Sequence, residues 1–283
     1  MKTSLVLEGG GMRGAYTAGC LAWLLDNGIT FDSAYGISTG AVHLCSYLMK
    51  SKELLYDCST DYIADQQLIG IRSIMREKTY VGYNLLFSKI LPEAGYFIKN
   101  AKHSGCDAKI GLYDLDLGKC VYISVDQIDD KMELLKASTT LPIIGRVVHY
   151  DGHMLLDGGI SEMIPIRQAI EDGNEKHLVI TTKPKDFVRK PASAAIVNLM
   201  GMTYPKHKCV KEDYAVRHLN YNSQVDEIHQ LETENKAIHI SPSKTIPVKR
   251  MTGDKPSLRL LYDLGYGDME ARKDEIIAAF RKD

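Results

Sequence analysis

The chain has no C-x-x-C pair, no internal repeat, no low-complexity tract and no Pro- or Ser-rich linker. No apolar stretch reaches the roughly 18 residues that suggest a membrane span. The apolar run at residues 5–7 is too short for the core of a signal peptide. Cys20, Cys45, Cys58, Cys106, Cys120 and Cys209 keep no regular spacing, so they read as small core residues in a reducing compartment rather than a disulfide framework. Charge of one sign is also missing. A formal net charge of -1 gives no global pull towards nucleic acid or an anionic membrane. These absences predict a cytoplasmic protein with no nucleic-acid partner. They leave open peripheral contact at the inner membrane face, and they say nothing of oligomeric state.

What is present suits a folded α/β chain. The 283 residues are 45% hydrophobic, enough to bury a core and too apolar for disorder. Residues 5–7 read as a buried strand, 15–25 as a helix with a small-residue face, 33–37 as a strand and 39–49 as a helix. Residues 52–102 look mostly helical. Within them, 68–98 mix large apolar side chains with Arg72, Arg76, Lys78 and Lys89, which suits a packed subdomain or, less simply, a lid. Strands are expected at 109–114 and 121–125, a helix at 129–138, and a hairpin of 147–150 and 153–156 about Asp151-Gly152, a pair that type I′ turns favour. A helix opened by Pro165 and a strand at 178–182 follow. The remainder reads as helices at 192–202, 211–235, 257–264 and 268–281, with a strand at 237–240. Nothing divides the chain, so one domain over 1–283 is expected: a core of about 4–183 and a mostly helical extension of about 184–283.

Two glycine-rich turns lie one helix apart. Gly9-Gly10-Gly11-Met12-Arg13-Gly14 follows a strand and opens a helix. It satisfies the G-x-G-x-x-G dinucleotide fingerprint literally, which would make the protein an NAD(P)-dependent oxidoreductase. That fingerprint wants an acid ending the second strand, where Gly36-Ile37-Ser38 stand instead; Asp32 precedes the strand. Glu8 would face a pyrophosphate, and the Lys-Ser/Thr of a P-loop is missing. The same geometry also serves as an oxyanion hole, with N–H groups and a helix end aimed at one point. Arg13 would brace the loop or add charge.

Gly36-Ile37-Ser38-Thr39-Gly40 is G-x-S-x-G between strand and helix, the context of a nucleophile elbow. His177, His207, His218, His229 and His239 follow Asp157 in the order a Ser-acid-His triad needs, but none stands in a recognisable turn. His43 reads as buried. His149 and His153 flank a hairpin turn without further metal ligands, and no metal is expected.

The motifs at Gly9–Gly14 and Gly36–Gly40, with Asp157-Gly158-Gly159 in that order, resemble the patatin-like phospholipases. Ala137-Ser138, Pro142 and Pro165 add to the likeness, and Leu219-Asn220-Tyr221-Asn222 resembles a bacterial subgroup. The resemblance implies a three-layer α/β/α fold with a mainly parallel sheet. It implies a Ser-Asp dyad hydrolase of lipid carboxylic esters, phospholipase A-like or lysophospholipase-like, without cofactor. Ser38 would be the nucleophile and Asp157 the base. Gly9, Gly10, Gly11, Met12, Arg13 and Gly14 would form the oxyanion loop; Gly36, Gly40, Gly158 and Gly159 would shape the elbow and the dyad loop. Many members carry Asn two residues before the proline after this aspartate; here Met163 stands there, beside Glu162, which leaves the bonding of the Asp157 loop open. The other readings are a Ser-Asp-His esterase or thioesterase and a non-catalytic acyl-binding protein.

Overall fold

The computed structural model describes residues 1–281 apart from 91, 93, 94, 96–98, 100 and 102. The strands are β1 (Thr3–Leu7), β2 (Ser33–Ile37), β3 (Asp107–Asp114), β4 (Lys119–Ser124), β5 (Val148–Tyr150), β6 (His153–Asp157), β7 (Lys176–Ile180) and β8 (Ala237–Ile240). The α-helices are α1 (Gly14–Asp26), α2 (Thr39–Leu48), α3 (Lys52–Asp57), α4 (Ile71–Glu77), α5 (Tyr83–Ile90), α6 (Glu133–Thr139), α7 (Ile166–Glu171), α8 (Ala194–Thr203), α9 (Lys208–Thr233), α10 (Lys255–Ala271) and α11 (Lys273–Phe280).

One mixed sheet joins the strands. β3, β2, β1, β7 and β8 run parallel side by side; β4, β5 and β6 form antiparallel pairs at the β3 end. Every residue of β1, β2 and β7 is buried, as strands covered on both faces must be. The pleat divides β1 between two cores. Leu5 and Leu7 pack among residues of α1, α2 and α10, while Val6 packs with Tyr35, Ile166 and Tyr221 on the other side. The molecule is therefore a three-layer α/β fold, as the motifs led one to expect.

The register of β3 sets up the site. β4 pairs with residues 109–114 along one edge. β2 pairs with 107–111 and β6 with 112–114, so these two share the other edge. β2 runs parallel to β3 and β6 antiparallel, so their C-terminal ends meet head-on beside Gly111 and Leu112.

Several boundaries differ from the sequence reading, each for a local reason. The expected break between 264 and 268 does not exist: α10 is continuous, and Gly265 serves close packing rather than a helix stop. A Cβ there would collide with the Tyr16 carbonyl, and one at Gly19 with that of Tyr262. α6 begins at Glu133 rather than near 129, because Met132 takes a left-handed conformation (φ 52°). β7 ends at Ile180 because Thr182 leaves the ladder and donates its N–H to Glu8. The hairpin turn is as expected, with positive φ at Asp151 and Gly152.

Within 68–98, an isolated Ile69–Val81 bridge closes the segment that carries α4 and leads into α5. Leu86, Phe87 and Ile90 are buried, whereas Ile71 and Met75 are exposed. Part of this stretch, including most of 91–98, lies outside the described residues, so the lid reading extends beyond them. Among the described residues no helix is long and apolar enough to cross a membrane.

The C-terminal third is integral to the fold. β8 extends the sheet beside β7. α10 lies across α1, where Tyr16 Oη donates to Asp268 Oδ2 (2.9 Å) and Trp23 Nε1 to Glu270 Oε2 (2.6 Å). Asp254 caps α10 by accepting from Ser257 N (2.8 Å), with Pro256 in the first turn, where its missing N–H is harmless.

Candidate active site

Ser38 stands between β2 and α2 with φ 57° and ψ −126°. A non-glycine residue in so unfavourable a conformation costs on the order of 1–3 kcal/mol and persists only where its surroundings enforce it. The tight approach of the turn to β1 supplies that enforcement. A Cβ at Gly40 would lie 2.7 Å from the Leu7 carbonyl oxygen, and one at Gly36 would lie 2.7 Å from that of Gly40. The G-x-S-x-G spacing is thus a packing requirement here.

Asp157 ends β6, opposite the elbow. Ser38 Oγ donates to Asp157 Oδ2 at 2.7 Å, and the two side chains are almost completely buried. The second carboxylate oxygen accepts from Gly159 N (2.7 Å), and Asp157 N donates to the Thr140 carbonyl (2.9 Å), so the carboxylate is held at both ends. No histidine is hydrogen-bonded to Ser38 or Asp157 among the described residues. His177 bonds Ser4 Oγ, His239 bonds Thr181 Oγ1, His207 bonds the Leu115 carbonyl and His153 bonds Asp114. His43 is buried beside Gly14 and Thr39, and desolvation depresses its pKa to about 4.

The glycine turn meets the elbow from the other side. Its N–H groups are not equivalent. Gly9 N donates to the Met163 carbonyl (3.1 Å), Gly10 N to Thr39 Oγ1 (3.1 Å) and Met12 N to the Arg250 carbonyl (3.0 Å). Gly14 N caps the short 3₁₀ turn at Gly11–Arg13. The N–H groups of Gly11 and Thr39 have no protein acceptor among the described residues. Gly11 needs its lack of a side chain: φ is +59°, and a Cβ would run into the Arg250 carbonyl.

Glu8 precedes the glycines, fully buried, and turns away from the site. It is ion-paired with Lys183 and accepts from Thr182 N (2.5 Å) and Thr182 Oγ1 (2.9 Å). Burial alone would raise its pKa; Lys183, the Thr182 N–H and the Arg13 charge outweigh burial and hold it below the usual value. Arg13 is mostly buried as well, its charge disfavoured by desolvation and supported by Glu8. Asp32, the acid considered for a ribose, instead accepts from Thr3 N and Thr3 Oγ1 at 2.8 Å each.

The Asp157 loop is supported from far along the chain. Gln224 on α9 accepts from Ile164 N (3.2 Å) and donates to Glu162, whose burial raises its pKa to about 7. Arg217, also on α9, donates through Nε to the Gly159 carbonyl. These contacts answer the question left by Met163: the loop is bonded by a glutamine and an arginine from α9. Sequence reasoning missed both, along with Arg250, because no spacing links them to the dyad.

Two cavities meet at the Ser38–Asp157 pair. One is apolar and reaches Ser38, with Val42, Leu68, Leu86 and Ile90 in its walls. The other reaches Asp157 and is lined by Ile160, Ile196, Met200, Arg217 and Arg250. Leu141, Arg250 and Met251 belong to both.

Residues 5–100, which carry the glycine turn and Ser38, match the family model described as patatin-like phospholipase. Residues 207–281 match a domain of unknown function, DUF6363. The chain is 27% identical over 204 residues to "Uncharacterized protein YjjU" of Escherichia coli strain K12, covering 67% of this chain and 54% of that protein. It thus spans about half the length of this curated relative. The crystal structure of VipD from Legionella pneumophila superposes with a TM-score of 0.47 at 13% identity, covering 97% of this chain and 67% of that one.

Proposed function

We propose that the protein is a serine acyl hydrolase that cleaves carboxylic esters of acyl lipids, as a phospholipase A or lysophospholipase does, through a Ser38-Asp157 dyad. The observation that carries the reading is the 2.7 Å bond from the elbow serine to a buried, doubly anchored carboxylate. The patatin-like match over residues 5–100 supports the lipid-ester class.

In the acylation half, Asp157 Oδ2 accepts the Ser38 proton as Oγ attacks the ester carbonyl. The carbonyl oxygen becomes an oxyanion held by the N–H groups of Gly11 and Thr39, with the N-terminus of α2 adding its dipole. Gly9, Gly10, Met12 and Gly14 shape this loop through their own bonds. Collapse of the intermediate expels the alcohol, which takes the proton from Asp157, and leaves an acyl-Ser38. Asp157 then removes a proton from water, whose oxygen attacks the acyl carbon; Ser38 departs, recovers that proton, and the fatty acid is released. The apolar cavity receives the acyl chain. No cofactor is required by these steps.

We assign the whole of 1–283 to one structural unit, because the DUF6363 segment supplies β8, the partner helix of α1 and Arg217. Reaction with a fluorophosphonate probe tests the nucleophile. The wild type should gain one covalent adduct by intact-protein mass spectrometry and Ser38→Ala none; equal labelling of both would refute the assignment.

A further inference from the structure

Where α9 runs into β8, three side chains converge that ester cleavage does not use. His229 and Glu232 stand three residues apart near the end of α9, so they share one helix face. His239 lies in β8. Strand alternation turns it away from Ile238 and Ile240, which pack in the core shared with α1 and α10. Its ring comes to 6.0 Å from that of His229, inclined at 45°. One donor atom from each of the three residues, an imidazole nitrogen or a carboxylate oxygen, lies within 4.8 Å of the other two. Tetrahedral zinc, with bonds of about 2.0–2.1 Å, needs donors roughly 3.3 Å apart, so small side-chain rotations bring them to bonding distance.

Both imidazoles carry an orphaned nitrogen. His239 is 3% exposed, and its Nδ1 is buried without a hydrogen-bond partner among the described residues; His229 Nε2 is buried without one as well. Buried polar atoms are nearly always satisfied, so two orphans on adjacent rings point to a shared ligand. The other nitrogen of His239 fixes its tautomer. Thr181 Oγ1 donates to the Lys183 carbonyl at 3.4 Å, so it accepts from His239 Nε2 at 2.9 Å, and Nδ1 keeps a free lone pair. Burial lowers the pKa of this ring, which leaves it neutral at pH 7, as ligation requires.

Glu232 supplies negative charge. Lys185 Nζ lies 2.9 Å from its Oε1 and 2.7 Å from its Oε2. Lys185 is 53% exposed, and a carboxylate has lone pairs beyond those it uses here, so the pair yields to a divalent cation. Lys185, Asp186, His229, Glu232 and Thr233 line an open surface pocket, which gives a cation a way in and room for a water molecule. Two imidazoles and one carboxylate are donors that suit zinc, whereas magnesium and calcium take oxygen.

We propose that His229, Glu232 and His239 bind one zinc ion, with water in the fourth position, and that the metal clasps the end of α9 to the edge strand β8. None of the three lines either cavity at the Ser38–Asp157 pair, so the clasp acts on the fold. It would steady the helix whose Arg217 and Gln224 bond the Asp157 loop. H-x-x-E on a helix and a histidine on the next strand make no recognised ligand spacing, which is why the sequence alone points to no metal.

The test is calorimetric titration of full-length protein, freed of metal with EDTA and dialysed, with zinc chloride. The wild type should bind one equivalent with a Kd in the micromolar range or tighter. His229→Ala and Glu232→Gln should each weaken binding by at least the roughly 10–100-fold that loss of an outer partner of a ligand costs. Lys185→Met, which removes the competing cation from an exposed position, should bind several-fold more tightly. Cobalt in place of zinc should give the wild type a visible absorption band that His229→Ala lacks.

Stability gives a second readout. Zinc at a hundred times Kd should raise the wild-type melting temperature by roughly 5 °C and leave those of His229→Ala and Glu232→Gln unmoved. No saturable binding to the wild type, or equal binding and an equal thermal shift in the two variants, would overturn the site and mark any bound zinc as adventitious. Neither readout involves ester hydrolysis, so the zinc site stands or falls apart from the chemistry of Ser38 and Asp157.

Discussion

Ser38 Oγ and Asp157 Oδ2 are 2.7 Å apart because the strands that carry them run towards each other along one edge of β3. The pair is separated by 119 residues in sequence, yet sheet register fixes it as firmly as any local motif. Its geometry depends on β3 holding Ile37 beside Gly111 and Asp157 beside Leu112.

The proposed oxyanion turn gives the sharpest prediction outside the proposed dyad. Gly11→Ala places a side chain at φ +59° and against the Arg250 carbonyl. A donor lost from such a site costs roughly 10²–10³ in kcat, and a strained left-handed residue about 1–3 kcal/mol of stability. Ester-hydrolysis kinetics beside a thermal melt would separate the two. We expect the fall in kcat to exceed any change in KM.

The buried ion pair behind the turn should respond asymmetrically. Glu8→Gln leaves Lys183 buried opposite a neutral group, for which about 3–5 kcal/mol of destabilisation is expected. The double change Glu8→Gln/Lys183→Met removes both charges and should recover much of that loss. Urea unfolding of the two variants measures the difference.

Mild acid should destabilise the metal-free fold through its buried histidines. Burial depresses the pKa values of His43, His177 and His239 to about 4 each. An unfolded chain binds protons on these rings near pH 6.5, and the folded chain does not bind them until about pH 4. The three rings therefore lower stability as pH drops through this window, by at most on the order of 3 kcal/mol per ring, and Glu162, raised to about 7, offsets part of the fall because its folded carboxyl binds a proton before the unfolded one does. Urea midpoints at pH 7, 5.5 and 4.5 should decline, and His239→Asn should flatten the slope.

The crossing of α1 and α10 predicts a structural effect with a functional consequence. Gly265→Val must push its side chain into the Tyr16 carbonyl. Overpacking of this kind costs typically about 1–3 kcal/mol. The melting temperature should fall, and activity should fall with it, because α10 follows the segment whose Arg250 carbonyl holds the glycine turn at Met12.

The sequence made some of this legible and hid the rest for physical reasons. Glycines and serine at fixed offsets are local demands of a turn, so Gly9–Gly14 and Gly36–Gly40 were readable without a structure. Asp157 was readable only through the resemblance carried by all three motifs, because Asp-Gly-Gly alone also suits an ordinary turn. The break expected between 264 and 268 is absent, since Gly265 lets α10 touch α1 within one continuous helix. Arg217, Gln224 and Arg250 gave no signal. Their roles arise from tertiary placement beside a loop some 60 to 240 residues earlier, and single arginines in helical or irregular sequence are common. Thr39 lay inside a recognised motif, but its bond to Gly10, which ties the two turns together, shows only in three dimensions.

The central claim is that an aspartate alone serves Ser38 as base, and hydrolysis of a soluble ester by Asp157→Asn tests it most directly. Removing a catalytic base from such a unit should lower kcat by at least roughly 10³-fold, while His43→Gln, His177→Asn and His239→Asn, corrected for folded fraction, should stay within a few-fold of wild type. Full activity in Asp157→Asn, with loss on replacing one of these histidines, would contradict the dyad.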